Sequence, residues 1–189
     1  MILIIAGPSG SGKSTLAQGL CDGYMNCRHL PSYTTRPKRS SDAPGEQRCI
    51  SEEEFERMKN AGEFAWTAGH YGNRYGTRKA DFNAALEDED HVYIAIIIVG
   101  TVPAIRALEP RTSNRLCFTY LYIDDVGELR RRLTKEERTN IEERMSSVEK
   151  ENAEAKRLQM RVPLHFVDAT LPRERVLERV TDIANLYLD

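Results

Sequence analysis

Short runs of apolar residues alternate with helical patterns along the chain. Residues 2–6 form a continuous apolar run that ends at a glycine, as in a strand buried on both faces, and residues 13–20 then have helical character. Similar runs at 29–33, 92–99, 116–123 and 164–167 predict further strands, with helical stretches between several of them. Strands separated by helices predict an α/β fold in which helices cover both faces of a parallel sheet.

The segment after the second of these runs differs in composition. Residues 34–77 are rich in polar, aromatic and glycine residues, and we expect them to form a subdomain inserted between core segments 1–33 and 78–189 of a single domain. Within this segment, Ser51 precedes three glutamates, which predicts an N-cap and a short helix that ends near Asn60.

Charge and composition exclude several classes of protein. The 189 residues carry a formal net charge of −2, so no global field draws the chain onto nucleic acid or an anionic membrane. The apolar runs are too short to cross a bilayer, and the first lacks the basic flank of a signal peptide. The four cysteines have no metal-binding spacing and are expected to be reduced, which predicts a cytoplasmic protein.

Residues 7–14, GPSGSGKS, fit the phosphate-binding motif GxxxxGK[ST] without a mismatch. The motif lies between a predicted strand and a predicted helix, which is the context that this loop requires. Lys13 can reach the β and γ phosphates of a nucleoside triphosphate, and the Ser14 hydroxyl is the predicted Mg²⁺ ligand. The predicted nucleotide-binding residues are Gly7, Pro8, Ser9, Gly10, Ser11, Gly12, Lys13, Ser14 and Thr15.

A second basic segment, SYTTRPKR at residues 32–39, follows a predicted strand. Arg36 and Arg39 lie three positions apart after hydroxyl side chains, and their forked donors can grip a dianionic phosphate. A basic loop is often only solvated. At the carboxyl end of a buried strand, however, it is a candidate site for the phosphate of an acceptor.

The charged stretch 135–158 has a thin apolar stripe at helical spacing and predicts either an exposed helix or a lid at about 134–145 that continues into a long helix. As part of a lid, Arg138 and Arg144 would close over the transferred phosphate. The alternative for both arginines is ion pairing with the neighbouring glutamates.

The order and spacing of several motifs resemble the guanylate kinase family. They are the phosphate loop, TTRPKR, SEEEFERMKNAGEF and GNRYGT, followed less clearly by ELRRRL and NIEERM. The resemblance implies a P-loop NTPase fold with an acceptor-binding subdomain and a helical lid, and ATP as the donor. It implies that the acceptor phosphate and base are bound by Ser32, Arg36, Arg39, Tyr75 and Thr77.

The chain departs from the family pattern at the acceptor base and at the metal. Gln47 stands where the family has a further phosphate-binding tyrosine, and Trp66 stands in the segment that should carry the guanine-reading glutamate. The strand that carries aspartates in the family has Ala95 and Ile97 instead. A site that loses its hydrogen-bond acceptors for guanine loses several kcal/mol of discrimination, about 10⁴-fold. Glu63, Asp81 or Asp125 could substitute from nearby.

The resemblance implies an ATP-dependent kinase for a nucleoside monophosphate, with GMP or dGMP as the default acceptor. Lys13, Arg36, Arg138 and Arg144 are the expected catalytic residues, and Gln47 and Trp66 join the expected acceptor site. One alternative is a kinase similar to ribose 1,5-bisphosphate phosphokinases, and another is an inactive guanylate-kinase-like binding module. We expect a small phosphate acceptor as the partner, no nucleic acid or membrane, and a monomer or homodimer.

Overall fold

The computed structural model describes residues 1–24, 26–39, 42–110, 114–135 and 140–188. Numbered in chain order, the strands in this part of the chain are β1 (Ile2–Ala6), β2 (Cys27–His29), β3 (Ser32–Thr34), β4 (Gln47–Cys49), β5 (Phe64–His70), β6 (Asn73–Arg78), β7 (Val92–Ile96), β8 (Leu116–Tyr122) and β9 (Leu164–Asp168). The α-helices are α1 (Lys13–Gly19), α2 (Glu52–Asn60), α3 (Lys79–Glu87), α4 (Val102–Arg106), α5 (Val126–Lys135), α6 (Ile141–Gln159) and α7 (Arg173–Asn185).

Five strands form a parallel sheet in the order β2-β7-β1-β8-β9. Successive side chains of the central strand β1 enter two different hydrophobic clusters. Leu3 and Ile5 pack with α1, α5 and α7 on one face, whereas Ile2 and Ile4 pack with α3, α4 and α6 on the other. Burial of each such side chain contributes about 1.5–3 kcal/mol. The predicted α/β fold, with a parallel sheet covered on both faces, is confirmed.

The remaining four strands form a second, mixed sheet in the order β4-β3-β6-β5. The prediction of one strand at 29–33 is wrong, because the run is divided between the two sheets. The Leu30 amide still donates to Ile94 O at 2.8 Å in the first sheet, and the Ser32 amide donates to Glu46 O at 3.0 Å in the second. Pro31 lies between them, and proline lacks the N–H that a continuous strand would need.

Helix α2 in the inserted segment begins and ends where the sequence predicted. The Ser51 side chain accepts a hydrogen bond from the Glu54 amide at 3.1 Å, and Ala61 follows as the C-cap. Phe55 and Met58 on its inner face pack in a third, smaller cluster with Tyr33. The cap and the 3.6-residue periodicity are local signals, which is why the sequence sufficed here.

The predicted lid at 134–145 is only partly described. Helix α5 ends at Lys135 and α6 begins at Ile141, while the predicted catalytic residue Arg138 lies outside the described residues. Helix α6 is not simply an exposed surface helix, because Arg144, Val148, Asn152 and Ala155 are buried along one side. That side faces the sheet and the phosphate loop.

The expectation of four reduced cysteines is wrong for one pair. Cys21 lies in a π-helical turn (Leu20–Tyr24) that follows α1, and Cys27 begins β2. The turn brings their Cα atoms to 5.0 Å, and the two side chains form a disulfide. Cys49 and Cys117 are free. In the part of the chain that the structure describes, no helix is long and apolar enough to span a membrane.

Candidate functional site

The phosphate loop joins β1 to α1 in the conformation that its glycines allow. Gly10 and Gly12 have φ angles of 82° and 88°. Residues other than glycine adopt this backbone conformation only with strain. The Lys13 ammonium group donates to the carbonyls of Gly7 at 2.7 Å and Pro8 at 2.8 Å, so the side chain folds back over the loop. The lysine is thereby held at the mouth of the loop, where the phosphates of a nucleotide would lie.

One cavity of about 980 Å³ brings the phosphate loop and the inserted segment together. Most of the predicted site residues line it: Gly7, Ser9, Gly10, Gly12, Lys13, Ser14, Thr15, Ser32, Arg36, Arg39, Gln47, Trp66, Tyr75 and Arg144. Among the described residues that we predicted, Pro8, Ser11 and Thr77 are not part of this lining. Ser11 and Thr77 are buried, and Pro8 contributes the carbonyl that receives Lys13.

An acidic residue that the sequence reasoning missed contacts both arginines of the basic segment. Asp42 accepts from Arg36 Nη2 at 2.8 Å and from the Arg39 amide at 2.8 Å. Arg36 also donates to the Pro37 carbonyl at 2.9 Å. Both partners of the Arg36–Asp42 ion pair are buried, so the fork of Arg36 is held in place beside the cavity. An acidic residue three positions after Arg39 was the available signal.

A second missed carboxylate, Glu46, lies against the phosphate loop. Its side chain accepts from the Ser14 hydroxyl at 3.1 Å and from the Ala43 amide at 3.3 Å. Glu46 is only 5% exposed and belongs to the same segment as Asp42. The residue predicted to ligate Mg²⁺ therefore contacts a buried carboxylate that comes from the inserted segment. No local pattern in the sequence predicted this contact.

Helix α6 closes the opposite side of the cavity. Arg144 donates to the Ser9 hydroxyl of the phosphate loop at 2.7 Å, and its guanidinium carbon lies 4.3 Å from the centre of the Tyr71 ring. The Tyr71 hydroxyl lies 2.7 Å from Ser147 Oγ, which donates to Glu151 at 2.9 Å. A chain of contacts thus connects the phosphate loop, the β5–β6 turn and α6.

Burial and nearby positive charge change the pKa values of two titratable residues that line the cavity. Burial, with Lys13 and then Arg144 nearby, lowers the pKa of His70 to about 4, so its ring is neutral at pH 7. Burial also raises the pKa of Glu151, although Lys13 acts in the opposite direction. The site therefore places the cationic side chains of Lys13 and Arg144 beside a neutral histidine, and their positive charge would attract a polyanion.

Comparison with known proteins identifies the family. The sequence model of the family described as guanylate kinase matches residues 1–162. The chain belongs to the guanylate kinase family. It is 34% identical over 134 residues to a guanylate kinase of Rhodopseudomonas palustris, which covers 70% of this chain and 59% of the relative. It is 31% identical over 156 residues to a guanylate kinase of Enterococcus faecalis, which covers 80% of this chain and 74% of the relative.

A solved guanylate kinase structure from Anaplasma phagocytophilum has the same fold. Its TM-score is 0.74 at 19% sequence identity, over 98% of this chain and 85% of the other. The resemblance read from the motifs is confirmed, and so is the P-loop fold of the guanylate kinase family. The chain spans about three fifths of the length of the first relatives that it matches.

The part of the cavity around Trp66 is apolar. Trp66 is 6% exposed and packs with Ile97 and Ala95 in the core, although Trp66 and Ile97 also line the cavity. The three acidic residues considered as substitutes, all described, lie elsewhere. Glu63 pairs with Arg57; Asp81 lies on α3, and the Asp125 carboxylate accepts from the first turn of α5. None of them lines the cavity.

Proposed function

We propose that the chain is an ATP-dependent phosphotransferase of the guanylate kinase type that converts a nucleoside monophosphate, by default GMP or dGMP, to the diphosphate. The observation that supports this most is the shared cavity, in which the phosphate loop faces the acceptor arginines. Two polyanions bound there would meet end to end, which is the arrangement that phosphoryl transfer needs.

The proposed roles follow from the positions of the side chains. Lys13 would bind the transferred phosphate of ATP, while Ser32, Arg36, Arg39 and Tyr75 would hold the phosphate of the acceptor. An acceptor oxygen would then form a bond to the γ-phosphorus as the bond to ADP breaks. Arg144 would neutralise the charge between the two, since it already contacts the phosphate loop through Ser9. Arg138 remains a sequence-based candidate for the same role.

The oxygen ligands that the cavity offers fit the Mg²⁺ that the family implies. The Ser14 hydroxyl lines the cavity beside a carboxylate, and hydroxyl and carboxylate oxygens are the donors that Mg²⁺ prefers. Among the described residues there is no group of three or more His, Cys, Asp or Glu side chains that could hold a metal. When bound, Mg²⁺ would neutralise charge on the β and γ phosphates, and Ser14 is the proposed ligand.

An ADP-release assay with a panel of monophosphates tests the proposal. We expect turnover of at least one nucleoside monophosphate in the presence of ATP and Mg²⁺. Lys13→Met should reduce kcat by about 10²–10³-fold, because it removes a charge from the transferred phosphate. Lys79→Met, at an exposed position that begins α3, is the matched control and should retain activity. Absence of turnover with every nucleoside monophosphate would refute the proposal.

One observation supports a second acceptor class. Trp66 and Ile97 leave the base end of the cavity without the carboxylates that read guanine. The panel should therefore include ribose 1,5-bisphosphate, and activity with that compound alone would establish the alternative. ATP binding by calorimetry without transfer to any acceptor would instead indicate an inactive binding module.

We also propose that the protein acts in the cytoplasm as a monomer or homodimer, without nucleic acid or a membrane. The small net charge of −2 supports the absence of nucleic-acid and membrane binding, because it provides no general attraction to polyanions. Cell fractionation and light scattering of the purified chain test the two statements separately. Recovery in a membrane or nucleic-acid fraction, or a larger assembly, would contradict them.

A further inference from the structure

Glu46 occupies a position where a nucleotide-bound metal would need a carboxylate. In the guanylate kinase resemblance, that carboxylate belongs to the strand matching β7, but here β7 has Ala95 and is followed directly by Ile97. We propose that Glu46, delivered by the inserted segment, is the carboxylate that binds the divalent cation of the nucleotide together with Ser14. The proposal rests on the use of ATP in the proposed function, but not on the identity of the acceptor.

The contacts of Glu46 support this assignment. One carboxylate oxygen accepts from the Ser14 hydroxyl at 3.1 Å and from the Gln47 side-chain amide at 3.4 Å, and the other accepts from the Ala43 amide at 3.3 Å. A hydroxyl that ligates a metal and a carboxylate at hydrogen-bond distance from it can share the coordination shell of one cation, directly or through a water. A small movement of the Ser14 or the Glu46 side chain would let both oxygens bind the same cation.

The described groups that contact Glu46 through hydrogen bonds are all neutral. Burial lowers the pKa of the nearby His29, so this ring is neutral at pH 7 and adds no positive charge. A divalent cation beside Ser14 would give this buried carboxylate a cationic partner.

The other carboxylates of the cavity are engaged elsewhere. Among the described lining residues, these are Asp42 and Glu151. Asp42 forms its ion pair with Arg36, and Glu151 accepts from Ser147 on α6. Glu46 is the described carboxylate that contacts Ser14. The assignment therefore does not depend on choosing among equivalent acidic residues.

This position has a mechanistic consequence. Glu46 lies four residues after Asp42, which contacts both acceptor arginines, and directly before the predicted acceptor residue Gln47. Metal binding would therefore hold the acceptor segment in its position against the phosphate loop. The donor nucleotide, through its metal, would favour the conformation that binds the acceptor, which is a coupling between two ligands of one site.

The test measures metal binding rather than turnover. Mn²⁺ is titrated into the full chain with saturating ATP and no acceptor, and free Mn²⁺ is followed by electron paramagnetic resonance. Glu46→Gln should weaken Mn²⁺ binding in the ATP complex by about 10-fold or more, whereas ATP binding in EDTA should stay within about twofold of wild type. Glu46→Asp, which keeps the charge, should restore part of the Mn²⁺ affinity. Urea unfolding of each variant verifies that it is folded.

Glu53→Gln is the matched control, because Glu53 is an exposed carboxylate on α2 in the same inserted segment. It should bind Mn²⁺ as the wild type does. Unchanged Mn²⁺ affinity in Glu46→Gln, or ATP affinity in the wild type that does not respond to Mn²⁺, would overturn the inference. Loss of Mn²⁺ affinity in Glu46→Gln without turnover of any acceptor by the wild type would support the inference and refute the proposed kinase activity.

Discussion

The neutral histidine in the cavity should make the folded protein sensitive to acid. His70 lies beside Tyr71, with 3.9 Å between ring centres, in the part of the cavity that also contains Lys13 and Arg144. Its pKa is lowered to about 4 in the folded protein, mainly by burial and then by the two cationic side chains. In the unfolded chain the same ring has a pKa of about 6.5. We predict that His70→Gln reduces the loss of stability between pH 7 and pH 5.

The sign follows from proton uptake. Between the two pKa values the unfolded chain binds a proton that the folded protein does not, so the free energy of unfolding falls as pH falls from about 6.5 towards 4. The full shift corresponds to a loss of about 2 kcal/mol at pH 5. Because the ring is only half-buried and solvent screens its neighbours, we expect about 1 kcal/mol. Glutamine has no titratable group and should not show this loss.

Urea unfolding followed by fluorescence is a direct assay, since Trp66 is the single tryptophan of the chain. For each protein, the free energy of unfolding is measured at pH 7 and at pH 5, and the loss between them is calculated. The loss in the wild type is then compared with the loss in His70→Gln. Thr67→Gln, at an exposed position of the same strand β5, is the control and should show the same loss as the wild type. Equal losses in the wild type and His70→Gln would refute the reasoning.

Three further changes test other parts of the structure. Gly10→Ala should destabilise the fold by about 1–3 kcal/mol and abolish ATP binding by calorimetry, because the new Cβ would lie 2.8 Å from Leu129 Cδ1 at a positive φ. Ser51→Ala should lower the free energy of unfolding by about 1 kcal/mol in urea titrations, through loss of the α2 cap. Arg144→Ala should reduce kcat in the ADP-release assay by about 10²-fold or more, and urea unfolding checks that the variant stays folded without the contacts to Ser9 and Tyr71.

Each change has a matched comparison within the chain. Gly12→Ala shares the positive φ but has no atom within 4 Å of the new Cβ, so it should be less destabilising than Gly10→Ala. Ser146→Ala removes an exposed hydroxyl from α6 and should cost less than the loss of the cap at Ser51. Arg157→Ala, at an exposed site of α6, should leave kcat unchanged. Reversal of any of these orders would contradict the corresponding argument.

Local signals in the sequence predicted much of the fold. The bounds of β1 and α2 agree with the expectation because an apolar run, a glycine and an N-cap act over a few residues. The phosphate loop was predictable for the same reason. The run at 29–33 was predicted as one strand because most of its residues are apolar. Pro31 was not taken into account, although it lacks the N–H of a continuous strand and the two sheets separate there.

The contacts that complete the site are long-range, and the sequence did not predict them. Ser14 and Glu46 are 32 positions apart, and Tyr71 and Ser147 are 76 apart. These contacts depend on how the inserted segment and α6 pack onto the parallel sheet. The hydrophobic periodicity of the sequence does not predict that packing. The disulfide between Cys21 and Cys27 was missed for a related reason, because a π-helical turn was not expected after α1.

The crossing at Pro31 sets a limit on how the second sheet can move relative to the parallel sheet. On one side, the Leu30 amide is hydrogen-bonded into the parallel sheet, and on the other, the Ser32 amide is hydrogen-bonded into the second sheet. At the return crossing β6 ends at Arg78 and α3 begins at Lys79, with no residue between them. Any rotation of the second sheet must therefore be taken up by a few torsion angles, one of which the pyrrolidine ring fixes. Trp66 of the second sheet is also buried with Ala95 of the parallel sheet, so glycine insertion at either crossing should loosen the connection between the sheets without separating them.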